Sequence, residues 1–189
     1  FDDTRDRVLT KVEYHQLLEV ARVQDSAINS QGNNTADKDR YRHMTDVTMF
    51  AYQTGARQGE ILKLKRDHIN WDLKQCTFYD TKNKADRTIP LADDTLSILK
   101  KHRFGTYVFD VDSRRLRKWF NKATRTAKIS NFRFHDLRAC FCTNALLNGW
   151  SIAEVSAISG HKDWSQLKRY TRIKPADLLQ KINNVVNLK

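Results

Sequence analysis

Cysteine is rare in this 189-residue chain, long apolar runs are missing, and acids are outnumbered by bases. Cys76, Cys140 and Cys142 are odd in number and lack the paired spacing of a zinc site. Cys140 and Cys142 stand two apart on an expected helix and so point to different faces. They read as structural thiols of a reducing, cytosolic compartment. No apolar stretch approaches the ~20 residues that cross a bilayer as a helix, which excludes a helical membrane protein. Clustered carboxylates are missing too. Asp2-Asp3 and Asp93-Asp94 are the adjacent acidic pairs, and the second falls in the first turn of an expected helix, where acids suit the dipole. A carboxylate-held magnesium site therefore has no candidate, and no metal or other cofactor is expected. There is no internal repeat and no low-complexity tract. The chain opens at Phe1 without an initiator Met or a signal-like apolar segment, so we read residues 1–189 as a single domain, a piece of something longer that misses its N-terminal part.

What is present is positive charge. The net charge is +12 with a pI near 9.8, which suits a polyanionic partner but would equally describe a basic surface that binds nothing. Its distribution sharpens the point: Ser113 to Arg133 holds eight Lys or Arg and no acid. Arg114, Arg115, Lys118, Lys122 and Arg125 from this run, with Lys84 and Arg87, are the candidate DNA contacts.

The periodicities predict a mostly α domain with a small three-stranded antiparallel sheet. Thr10 and Glu13 have capping-box spacing before a helix over 10–23 with Tyr14, Leu17, Leu18 and Ala21 on one face. A polar surface loop is expected over 26–40, around Gly32-Asn33-Asn34. A helix over 44–52 turns Val47, Phe50 and Ala51 inward, Gly55 breaks it, and another runs over 57–64. Strands at 68–71, 76–79 and 87–91 form a meander, with Pro90 where a missing N–H does little harm. Helices are then expected over 93–102, 115–127, 135–147 and 151–159, the last with a Ser151–Glu154 capping box. A short helix carries Leu167 and Tyr170. Pro175 opens a final one over 175–186, with Leu178, Leu179, Ile182 and Val185 on one side.

Chemistry gathers in five scattered phrases: Arg57 in TGARQGE, Lys82 in DTKNK, His135 and Arg138 in HDLR, His161 in GHKD, and Tyr170 nine residues later. Attack on a phosphodiester builds negative charge on the equatorial oxygens, and without metal ions a guanidinium fork is the natural clamp. Either arginine alone would read as a surface residue. A glycine turn precedes Arg57, and His135 shares a helical face with Arg138. Glu60, three residues after Arg57, fits a carboxylate that orients it or an exposed ion pair equally well. Tyr170, one of six tyrosines, would by itself read as another packed aromatic. Lys82 and Lys84 both sit on the hairpin, either able to protonate a leaving oxygen.

Taken together and in order, these phrases resemble the tyrosine recombinase (phage integrase) family over roughly residues 44–175. The resemblance implies the fold of the family's catalytic domain and makes Tyr170 the nucleophile of a 3′-phosphotyrosyl link to DNA. It makes Glu60 a support for Arg57, and His161 and His135 phosphate or proton partners, without deciding which accepts the tyrosine proton. It puts Lys82, set eight residues before Pro90, ahead of Lys84 as general acid. The implied partner is double-stranded DNA, bound by a homotetramer that is a monomer when free, with room for an accessory DNA-bending protein. The implied setting is a bacterial cytoplasm or nucleoid and a phage or mobile-element source, and the tail helix is expected to dock on a neighbouring protomer. Two rivals stay open: a type IB topoisomerase, using much the same residues to reseal the cut strand, and a catalytically silent DNA-binding relative. The TGARQGE, HDLR and GHKD phrases favour the recombinase, and the full residue set argues against a silent module.

Overall fold

The computed structural model describes residues 7–31, 44–79, 86–102 and 105–170. Helix α1 spans Lys11–Gln31, and its start is the expected capping box: Thr10 N–H donates to Glu13 at 2.9 Å and Glu13 N–H to the Thr10 hydroxyl at 3.1 Å. Arg7 adds an ion pair to the same carboxylate, whose pKa falls to about 2 through that bond and the backbone donor of Thr10. Leu17, Leu18 and Ala21 are buried, and Tyr14 stacks on Tyr52 with centroids 3.8 Å apart.

The expected loop from Ser26 is a correction, because α1 runs on to Gln31. Asp25, whose short polar side chain commonly ends helices, turns inward here. Its carboxylate accepts the Thr45 N–H at 3.0 Å and hydroxyl at 2.5 Å. That grip ties the later part of α1 to the first turn of α2 (Met44–Thr54), a contact that local sequence does not encode.

Helix α2 is the hub, with Val47 and Phe50 fully buried and α1 packed alongside. It ends at Gly55, whose φ of +61° favours glycine, and Phe141 lies 2.5 Å from where a Cβ would stand. Helix α3 (Gln58–Leu62) follows, then a 3₁₀ turn (Arg66–His68) and the sheet β1 (Ile69–Asn70), β2 (Gln75–Phe78) and β3 (Arg87–Pro90). The strands are antiparallel in the order β1-β2-β3, with Cys76 opposite both Ile69 and Ile89. Cys76, Phe78 and Ile89 face the core, as alternation requires.

Helices α4 (Asp93–Lys101), α5 (Ser113–Thr126), α6 (Asp136–Leu147) and α7 (Ile152–Ser159) complete the domain, and a 3₁₀ helix (Trp164–Tyr170) packs on both α6 and α7. Helix α5 begins two residues before the expected Arg115, because Asp112 caps it by accepting the N–H groups of Arg114 and Arg115. Its inner face of Leu116, Trp119, Phe120 and Ala123 is buried as the 3.6-residue period requires. Ser151 and Glu154 form the capping box of α7. Cys140 belongs to the main core, whereas Cys142 joins a second cluster with Ala145, Val155 and Leu167. All three cysteines are free and buried. No helix among the described residues is long and apolar enough to cross a membrane. The hairpin tip with Lys82 and Lys84, the Gly32-Asn33-Asn34 stretch and the tail after Tyr170 lie outside the described residues.

Candidate active site

Two glycine-ended helices bring the site together. Helix α2 stops at Gly55, two residues before Arg57, and α7 stops at Gly160, φ +74°, one residue before His161. Arg57 caps α3 from an extended backbone. Its N–H donates to Glu60 Oε2 at 2.9 Å, its Nη1 to Glu60 Oε1 at 2.9 Å, and its Nη2 to the Gly160 carbonyl at 3.1 Å. Arg138 rises from α6 with only 4% of its surface exposed. Its Nη1 donates to the carbonyls of Gly55 at 2.8 Å and Ser159 at 2.5 Å. Arg57 is thus bonded to the turn that ends α7, and Arg138 both to that turn and to the one that precedes Arg57. Burial first, then the nearby charge of Arg57, pulls the Arg138 guanidinium down to about 10, so it stays cationic at neutral pH.

Glu60 is the carboxylate at the centre, its side chain 5% exposed. It accepts both Arg57 bonds and is also gripped by Arg87, whose Nη1 and Nη2 reach its two oxygens at 3.2 and 2.6 Å. Burial works to raise the Glu60 pKa, but the Arg87 bond and charge, helped by Arg57, hold it below the ordinary carboxylate value.

Arg87 stands among the expected DNA contacts. The structure turns it inward, side chain 10% exposed, its guanidinium carbon 5.0 Å from the Phe78 ring centroid. Its Nη1 fills the space that a Cβ at Gly160 would need, so glycine there serves both the left-handed turn and this close approach. The reason lies in Glu60, 27 positions earlier, which supplies a buried countercharge that no local pattern reveals.

His161 is held by two serines that sequence reasoning missed. Ser156 Oγ donates to the His161 carbonyl at 2.5 Å, and Ser159 Oγ lies 2.7 Å from His161 Nδ1. Arg138 Nη2 is 3.2 Å from Nδ1 and 3.1 Å from Nε2. An atom nearly equidistant from both nitrogens at that range lies over the ring face, because Cε1 occupies the in-plane position between them. The contact is therefore cation on ring face rather than a hydrogen bond to either nitrogen. His135 is exposed at the N-cap of α6, three residues before Arg138. Tyr170 ends the 3₁₀ helix, half-buried against the cluster that holds Cys142 and Leu167.

The basic residues of α5 behave as their spacing suggests. Arg114, Arg115, Lys118, Lys122 and Arg125 are all exposed, and Arg114, Lys118, Lys122 and Arg125 follow one another at three or four residues along one face. Gln58 Nε2 donates to Ser113 Oγ at 2.8 Å, joining the start of this helix to the helix that Arg57 caps.

Residues 7–177 match the sequence profile of the phage integrase family. The chain belongs to that family. Similar curated proteins include a shufflon-specific DNA recombinase of Escherichia coli, 33% identical over 71% of this chain and 36% of its own length. Another is the tyrosine recombinase XerA of Pyrococcus furiosus, 30% identical over 90% of this chain and 58% of its own. The chain thus spans roughly a third to three-fifths of these relatives. Among solved structures, the catalytic domain of bacteriophage HP1 integrase covers 95% of this chain and 96% of its own at a TM-score of 0.65 and 22% identity. The XerA recombinase covers 97% and 64% at 0.66 and 21%. At these identities the structural likeness establishes the tyrosine recombinase catalytic-domain fold, mostly helical with a small antiparallel sheet, as expected.

Proposed function

We propose that this integrase-family chain is the catalytic domain of a site-specific DNA recombinase that cuts and rejoins strands through Tyr170. The observation that carries the reading is that Arg57 and Arg138 are tied to the same two helix ends, Arg57 to the Gly160 carbonyl and Arg138 to the carbonyls of Gly55 and Ser159. It sets two guanidinium groups close together with little freedom to move, which is the preorganisation a phosphoryl transition state rewards.

In this reading the Tyr170 oxygen bonds to phosphorus, the bond to the 5′-oxygen breaks, and Lys82 protonates the departing oxygen. Arg57 and Arg138 hold the non-bridging oxygens, while His161 and His135 hydrogen-bond or carry protons. Transesterification conserves the phosphodiester energy, so neither metal nor nucleotide is consumed. The exposed stripe of α5 grips the backbone of double-stranded DNA. Assembly is as a homotetramer on DNA, with the segment after Tyr170 docking between protomers, and the DNA-clamping part of the protein lies N-terminal to this domain.

The test is a nicked suicide oligonucleotide carrying the target site, found by selection from random duplex DNA. Wild type should form a covalent protein–DNA adduct, and Tyr170→Phe should bind the same DNA and form none. An adduct with the Phe variant would move the nucleophile to another tyrosine. A wild type that bound but never formed one would leave a silent binding module.

A further inference from the structure

Ser159 is fully buried at the last turn of α7, and its hydroxyl has two neighbours that both need a proton assigned. It lies 2.6 Å from the Val155 carbonyl and 2.7 Å from His161 Nδ1. A hydroxyl carries one hydrogen and can also accept. A carbonyl can only accept, so the hydroxyl proton belongs to Val155. The oxygen then meets Nδ1 as an acceptor, and Nδ1 must bear the hydrogen. The Cys142 thiol also touches this hydroxyl, but burial pushes its pKa up to about 11. As a neutral thiol it is a weak acceptor and does not compete with the carbonyl.

We propose that Ser159 is a positioning residue that fixes His161 in the Nδ1–H tautomer. The second nitrogen of the neutral ring is then the lone-pair nitrogen. His161 therefore enters the reaction as a proton acceptor on Nε2 and can donate to a phosphate oxygen only after taking up a proton. Two further contacts support the assignment. The Ser159 carbonyl accepts from Arg138 at 2.5 Å, so one residue places both the guanidinium and the imidazole. Arg138 Nη2 lies over the ring face, so it places no donor in the ring plane at Nδ1 to compete with the Ser159 oxygen. The mechanistic consequence rests on His161 belonging to a strand-cleaving site, as proposed above, whereas the tautomer itself does not.

The test is ¹⁵N NMR of the histidine rings in the DNA-free protein, at a pH where the His161 ring is neutral and with its signals assigned by His161→Gln. Protonated and unprotonated ring nitrogens have well-separated shifts, so the spectrum reads the tautomer directly. Wild type should show a protonated Nδ1 and an unprotonated Nε2. Ser159→Ala should move the population toward Nε2–H, the form that free imidazole side chains prefer. Ser156→Ala, which loses only a bond to the His161 backbone, should leave the ring signals in place. Circular dichroism of each variant confirms that the fold is retained. Nε2–H in wild type, or an unchanged Nδ1–H in a folded Ser159→Ala variant, would overturn the assignment. Adduct formation, measured separately, tests the proposed function and leaves the tautomer result standing.

Discussion

The two arginines of the site are held by opposite means. Arg57 sits in a charged lattice, where one carboxylate, Glu60, is shared with Arg87. Arg138 is more deeply buried and is held by the carbonyl oxygens of Gly55 and Ser159. A carboxylate neutralises as it orients. A carbonyl only orients, leaving the guanidinium with most of its charge to offer a ligand. The difference suggests a division of labour: the Glu60 side stores folding stability, and the Arg138 side stores positive potential for phosphate. Burying an unneutralised guanidinium is costly, which is why its pKa is drawn down.

The strongest attempt to break this comparison removes the shared carboxylate. Glu60→Gln leaves two guanidinium groups facing each other with the countercharge gone, and breaking a buried pair from one side costs about 3–5 kcal/mol. Urea denaturation should show that loss, and Glu60→Gln combined with Arg87→Met should recover part of it, since the second change removes the stranded charge. If Glu60→Gln unfolded at the wild-type midpoint, the lattice would be an ornament of the turn rather than a source of stability. Next in size is Arg138→Met, which strands no charge and leaves two carbonyls to repair. Here the expected loss is in chemistry, about 10²–10³-fold in the rate of adduct formation, with a smaller stability change than Glu60→Gln. A variant that lost stability like Glu60→Gln but cleaved near normally would reverse the assignment of the two sides.

How much of this was legible in the sequence follows from the range of each interaction. Capping boxes close over three residues, so Thr10–Glu13 and Ser151–Glu154 could be read directly and stand in the structure. The inner face of α5 and the strand alternation of Cys76, Phe78 and Ile89 are periodic, and periodicity survives without knowledge of the neighbours. The pairing of Arg57 with Glu60 spans three residues, yet spacing left a buried orienting contact and an exposed ion pair equally open, and only the resemblance favoured the first. Arg87 was not legible, because an arginine on a short strand looks solvated until Glu60 is brought to it. Asp25 failed for the same reason: its acceptors are spent on Thr45, 20 residues away, and the helix continues where composition suggested a loop. Ser159 and Ser156 act through single hydroxyls against one ring and one carbonyl, and no spacing rule distinguishes such serines from any other. The hairpin lysines and the tail helix lie outside the described residues, so they remain proposals on sequence grounds.

The smallest effect sharpens the comparison by adding a buried carboxylate that has no arginine. Asp25 and Glu60 are similarly buried, at 7% and 8% exposure, yet their pKa values move in opposite directions. Burial raises Asp25 from an ordinary 3.8 to about 6, with the Thr45 bonds opposing it. Glu60 is lowered because Arg87 and Arg57 outweigh burial. The linkage signs follow. The stabilising contribution of Glu60 is present above the carboxylate range and is lost as pH falls through its folded pKa. That of Asp25 is full below 3.8 and is lost as pH rises through about 6. Asp25→Asn keeps an acceptor for Thr45 but cannot ionise, so the variant should gain on wild type between pH 4 and pH 7 by about 1–3 kcal/mol. Urea midpoints at the two pH values measure that gain. An equal gap between variant and wild type at both would mean that Asp25 ionises as easily in the fold as in water, and that burial without an arginine does not separate the two carboxylates.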